Sequence, residues 1–400
     1  MNNINHLRAK HDFNLEGLRG LCALTVCYAH LFTFNFFQSK SIPFSNFFEQ
    51  FHFASVAVLI FFILSGYVIG ITYQNSIFSY PAVVLYSKKR FARLYPIYLS
   101  SILLAILFGD QKFTLLQFVG HLFFVQDLAV ETVKSNVVLW SLSYEVIYYL
   151  LFIIIWRYKA IHPLLIAFTL LILSIFAFVA GYNKCSSLLV GSTFWLVGLS
   201  IAWNLKPTMT KGVGKEQILS HLFILLATYS LNSGSFYLNL LHIPFNNDLK
   251  IPLSDIFYLP ICVFIFLIIT RREFKYLMQL KAVCYIIPSI HISLLVYFKH
   301  NIFEKQIWFW GTVYLFLAII LFFIKTKISI FQKLSYVGRI SYAIYVLHFP
   351  IAYYLNIHFW LGEGLSTFAF TTLIWVLLTF VLSYIFEMKF QPLIKNFLFK

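Results

Sequence analysis

Roughly twelve apolar runs, most of them long enough to cross a bilayer, follow one another along this chain with little between them. A membrane span needs about 20 apolar residues, because a rise of ~1.5 Å per residue must cover ~30 Å of hydrocarbon. Backbone amides in that layer find no water, so the chain must cross as helices or close into a barrel. Runs of this length predict an all-α, polytopic transmembrane bundle of about 10–12 helices. Composition closes off the alternative. At 60% hydrophobic and 11% charged residues, 400 residues do not make a soluble globular protein.

The runs fall near 15–35, 54–73, 94–109, 137–156, 162–180, 187–204, 218–238, 252–270, 279–298, 307–324, 340–357 and 365–386. A shorter stretch, 113–126, is expected to lie along the interface. No internal repeat interrupts the series, which reads as one membrane domain over 1–400 with no soluble domain appended. The polar Met1–Asp12 leads into a run too long for the core of a cleavable signal, so none is expected. With that end in the cytoplasm, 23 of the 30 Lys and Arg residues fall inside and 7 outside. The positive-inside rule supports this orientation, with both termini cytoplasmic. A net charge of +16 is compatible with nucleic acid in principle. The basic residues punctuate the apolar runs without forming a patch, however, so no nucleic-acid partner is expected. Cys22, Cys27, Cys185, Cys262 and Cys284 show neither metal-ligand nor disulfide spacing, and no metal is expected.

Ionisable residues inside such runs are costly and usually face a protein interior. The first run carries Glu16, Arg19 and His30. Arg19 and His30, eleven positions apart, fall within ~20° of one helical face and ~16 Å apart along it. With Ala23 and Val26 between them, both are expected to look into one cavity. Taken singly, Arg19 could be a boundary arginine and His30 a histidine satisfied in the bundle. Phe61-Phe-Ile-Leu-Ser65-Gly66-Tyr67 supplies small residues for close helix contact. Packing is preferred there over a nucleophilic Ser65, since no Gly-x-Ser-x-Gly is present. In the basic stretch Lys88–Arg93, Arg90 and Arg93 share one face and could meet a phosphorylated ligand. Trp140-Ser-Leu-Ser143-Tyr-Glu145 places a carboxylate inside a run, at a depth expected to match His30. A base and its orienting carboxylate would look like this, and so would a structural ion pair. Ser341, Tyr345 and His348 form a polar stripe at i, i+4 and i+7. Glu387, at the end of the last run, reads as an ordinary boundary charge.

These stretches together resemble the acyltransferase-3 family of integral membrane O-acyltransferases. The resemblance rests on Glu-Gly-Leu-Arg-Gly with ten residues between Arg19 and His30, Phe-Phe-Ile-Leu-Ser-Gly-Tyr, Arg90-Phe-Ala-Arg93, Trp-Ser-Leu-Ser-Tyr-Glu and Ser-Tyr342-x-x-Tyr-x-x-His. Each is weak alone; five in order across nearly the whole chain are specific. The resemblance implies an inner (plasma) membrane enzyme that takes an acyl group from cytoplasmic acyl-CoA, with acetyl-CoA the first expectation. The acceptor implied is a hydroxyl of a cell-surface glycan, a lipopolysaccharide or a lipid-linked sugar, reached directly or through a partner transferase protein. His30 and Glu145 are then expected to be catalytic, and Arg19, Arg90 and Arg93 to bind the CoA phosphates. Ser65, Trp140, Ser143, Tyr342, Tyr345 and His348 are expected to support the substrate. Two departures stand out: the family core has about ten helices, and no SGNH-type domain follows the last run. A polytopic transporter or flippase for a glycan precursor is the competing class, because polar residues within helices also mark transport paths. The membrane-bound O-acyltransferase class ranks behind both.

Overall fold

The computed structural model describes residues 12–49, 51, 53–110, 113–207, 218–241, 252–298, 300–302, 305–324, 329–359 and 364–399. Met1–His11 and the loop glycines Gly212 and Gly214 lie outside the described residues. Helix α1 (Phe13–Thr33) starts where the Asp12 carboxylate accepts from the Asn14 and Leu15 amides, at 3.0 and 3.4 Å. After the short α2 (Ser45–Glu49) come α3 (Ala54–Tyr73) and α4 (Tyr80–Phe108). The third apolar run was expected to begin at 94, but α4 begins fourteen residues earlier and carries Lys88–Arg93 within it. Ser79 caps it by accepting from the Ala82 amide, and no glycine interrupts the basic stretch.

The stretch expected along the interface is α5 (Leu115–Leu122), closed by a capping box between Thr114 and Gln117. Then follow α6 (Trp140–Arg157), α7 (Pro163–Val179), α8 (Asn183–Asn204) and α9 (Ile218–Ser230). The run expected over 218–238 divides at Asn232, whose φ of 51° breaks the helix before α10 (Ser233–Leu240). The remainder are α11 (Leu259–Thr270), α12 (Leu277–Tyr297), α13 (Gln306–Phe322), α14 (Ser329–Gly338), α15 (Ser341–His358), α16 (Leu365–Ile385) and α17 (Gln391–Leu398). Among the described residues, seven helical spans are long and apolar enough to cross a membrane. An eighth counts if Phe331–Gly338 and Ser341–His358, bent by 64°, form one span. Helices α7, α9 and α13 are apolar but shorter. The fold is therefore the expected all-α, multi-pass bundle.

Two glycine contacts set the centre of the bundle. A side chain at Gly17 would fall on the Phe331 carbonyl of α14, so α1 and α14 lie backbone to backbone. A side chain at Gly66 would fall on the Trp195 carbonyl of α8, which locks α3 against the largely buried middle of that helix. Around this centre α12 and α16 form a rim that exposes Ile286, Ile290, Leu373 and Leu377, as lipid-facing helices must. Helix α15 is buried from Ala343 to Ala352 despite Pro350. That proline has no amide to give the Val346 carbonyl. Asn136 supplies the missing bond from its side-chain amide, at 3.0 Å.

Candidate active site

Helices α1, α3, α4, α6 and α15 line a cavity of about 120 Å³ that charged side chains share with apolar ones. Three arginines converge on it, each held differently. Arg19 pairs with Glu16 one turn back on α1, at 2.9 Å. Arg93 pairs with Glu387, donates to Gln391 at 3.2 Å, and lies over the Tyr342 ring at 5.4 Å. The Arg90 guanidinium rests against the rings of Tyr86 and Tyr149, at 5.7 and 5.6 Å. Its buried Nε has no hydrogen-bond partner among the described residues. Cation–π contact holds such a group in place and leaves its donors to a ligand. Glu145 faces the same cavity and accepts from Ser65 Oγ at 3.0 Å and from Tyr149 Oη at 2.5 Å. Ser65 in turn accepts from Trp195 Nε1 at 3.3 Å.

His30 is not among the residues that line this cavity. Its Nδ1 stands 2.9 Å from Nε2 of His348 on α15, and its ring meets Phe349 edge-on. Ala23 and Val26, expected to border a shared opening, are closed over at 0% and 1% exposure. The aromatic pair Phe61 and Tyr345, 5.8 Å between ring centres, belongs to the cavity wall, and Tyr345 also neighbours His348 at 6.3 Å. Tyr345 thus touches both environments. Its hydroxyl shares a 2.7 Å bond with Ser141 Oγ.

The structure places Glu145, the pair Trp140 and Ser143, and Glu387 differently from the sequence reading. Glu145, expected to orient His30, has Ser65 and Tyr149 as its partners, and the residue bonded to His30 is His348. Matched positions along two helices said nothing about their offset, and the offset puts Glu145 with the arginines. Trp140 and Ser143 lie off the cavity: the Trp140 ring packs on Tyr144, and Ser143 Oγ donates to the Trp140 carbonyl at 2.6 Å. Ser141, Glu145 and Tyr149 face it instead, and their i, i+4, i+8 spacing was the available signal. Glu387, read as a boundary charge, is 5% exposed and bonded to Arg93. The expected stripe Ser341, Tyr345 and His348 does face inward, and Tyr342 donates to the Leu94 carbonyl at 2.9 Å.

Convergent guanidinium groups, a carboxylate and a neighbouring histidine pair, all inside a buried helix bundle, define a multi-pass membrane protein that holds charged groups in its interior. The particular family follows from comparison with known proteins. The model of the acyltransferase-3 family, described as an acyltransferase domain, matches residues 12–388, and the chain belongs to that family. The chain is a multi-pass membrane member of that family. It is similar to the acyltransferase MdmB of Streptomyces mycarofaciens, with 31% identity over 150 residues. That match covers 35% of this chain and 38% of the relative. No solved structure matches.

Proposed function

We propose that the protein transfers an acyl group, acetyl in the first instance, from cytoplasmic acyl-CoA to a hydroxyl of a surface glycan or lipid-linked sugar. The observation that carries the reading is Arg90, a cation held by two tyrosine rings beside Arg19 and Arg93, with buried hydrogen-bonding capacity to spare. Guanidinium forks suit phosphate oxygens, and three that line one cavity suit a polyphosphate. The cavity, at about 120 Å³, is far smaller than a coenzyme. It therefore takes part of the donor, and the rest lies towards the cytoplasm, the side to which the positive-inside rule assigns Lys88 and Lys89 of α4.

His30 lies ~16 Å along α1 from Arg19, behind Phe61 and Tyr345. In this reading the thioester end passes those rings to reach it. His30 takes the proton as the acceptor O–H bond breaks and the new O–C(acyl) bond forms; the C–S bond breaks, and CoA leaves as thiol with a proton in return. The acceptor approaches from the outer face of an inner membrane, alone or on a partner transferase.

The purified protein in bilayers, given acetyl-CoA and acceptor-bearing membranes of its own cells, should release free CoA thiol and acylate the membrane fraction. Arg19→Ala should weaken acetyl-CoA binding. His30→Ala should abolish transfer and leave that binding largely intact. Absence of thiol release, with uptake of a glycan precursor in its place, would point to a transporter. Loss of binding only in His30→Ala would reverse the two roles.

A further inference from the structure

We propose that His348 is a positioning residue that sets the tautomer of His30, so that Nε2 of His30 is the nitrogen that takes the proton. The inference rests on the reading of His30 as the base. It starts from a carbonyl. His348 Nδ1 lies 3.0 Å from the Ile344 oxygen, one turn back on α15. A carbonyl oxygen only accepts, so Nδ1 of His348 carries hydrogen. In the neutral ring the lone pair then sits on Nε2, which faces His30 Nδ1 at 2.9 Å. His30 must donate there. With its one hydrogen on Nδ1, the neutral His30 ring keeps its lone pair on Nε2.

The ring geometry agrees. The two imidazoles lie within 7° of one plane with centres 5.2 Å apart, which puts the 2.9 Å bond on the line between the rings. This is an edge-to-edge hydrogen bond in the ring plane rather than face stacking. The support is rigid. His348 has no exposed surface, and its own carbonyl accepts from Trp375 Nε1 of α16 at 2.9 Å. Asn136 ties down the Val346 carbonyl half a turn before it. A chain of fixed acceptors, from Ile344 to His348 to His30, therefore imposes one tautomer on the histidine of α1. A ring held this way takes the proton of the acceptor O–H at Nε2 and passes it on to the departing thiolate, without changing its bond to His348.

The test uses the full chain with ¹⁵N-labelled histidine in bilayers, with the His30 nitrogens assigned by comparison with His30→Asn. Protonated and unprotonated ring nitrogens resonate far apart, so the tautomer is read without reference to activity. The parent should show hydrogen on Nδ1 and none on Nε2. His348→Leu removes the acceptor and should move the hydrogen to Nε2, with transfer from acetyl-CoA to native membranes falling roughly 10²–10⁴-fold, as a wrong tautomer does. His348→Gln sets an amide oxygen where Nε2 stood and should restore the Nδ1–H form and bring transfer within about tenfold of the parent. A parent with hydrogen on Nε2, or a His348→Leu variant with an unchanged tautomer, overturns the proposal. If His348→Leu does not fold, the parent and His348→Gln resonances still decide. Full transfer by His30→Ala would instead sink the reading of His30 as base, a separate failure.

Discussion

Glu387 and Arg93, 294 positions apart, form an ion pair through the guanidinium that lines the cavity. The carboxylate does two jobs there. One oxygen meets the guanidinium; the other accepts from the Ala343 amide at 2.9 Å, one of the open N–H groups of the first turn of α15. Glu387 occupies a π-helical turn, Phe386–Phe390, between α16 and α17, an irregularity that re-aims side chains. One buried acid thus joins the arginine wall to the helix that carries Tyr345 and His348.

Removing that acid should be felt as stability. Glu387→Ala leaves a partly buried guanidinium without its counter-charge and an amide without its cap, an expected cost of about 3–5 kcal/mol. Thermal unfolding in detergent, followed by size-exclusion, checks it. Glu387→Gln should fall between the two, since its oxygen can still cap Ala343. Parental melting of Glu387→Ala would show the pair to be dispensable.

Arg90 should be felt as affinity. A charge-assisted hydrogen bond is worth roughly 1.5–3 kcal/mol, so Arg90→Ala should weaken acetyl-CoA binding by about 10–100-fold. Arg90→Lys keeps the charge and loses the planar fork, and should recover only part of it. Calorimetric titration of the purified variants measures this. Equal affinity in all three proteins would remove Arg90 from the donor site.

Glu145 separates positioning from proton transfer. Its Oε1 holds the hydroxyls of Ser65 and Tyr149. Glu145→Gln keeps an acceptor oxygen and should stay within about tenfold of parental turnover. Glu145→Ala strands both hydroxyls and should lose about 10–100-fold, the range for a supporting contact. Initial rates of thiol release give both numbers. If the glutamine variant is as inactive as the alanine variant, the carboxylate itself carries a proton.

Orientation is open to a label already in the chain. Cys185, at the start of α8, is exposed, whereas Cys22, Cys262 and Cys284 are buried. It adjoins Lys184, which pairs with Asp127 at 3.3 Å and falls on the outer side of the 23-to-7 charge distribution. A membrane-impermeant maleimide should modify intact cells at Cys185, and Cys185→Ser should abolish the signal. Labelling that appears only after permeabilisation would invert the topology.

Much of this architecture was legible in the residues because the solvent leaves so few choices. Apolar runs of ~20 residues must become helices where no water can satisfy a backbone. Within one helix the period then settles which side chains share a face, as with Ser341, Tyr345 and His348 on α15 or Ser141, Glu145 and Tyr149 on α6. Relations between helices were decided by tertiary packing. The backbone contact at Gly17 sets how far α1 slides along α14, and such offsets leave no trace in the helical period. They put Glu145 among the arginines, brought His348 to His30, and drew Glu387 inward to Arg93. Charges and imidazoles in a low-dielectric interior require partners. The sequence alone determined that such partners must exist, and only the packed bundle could say which residues they are.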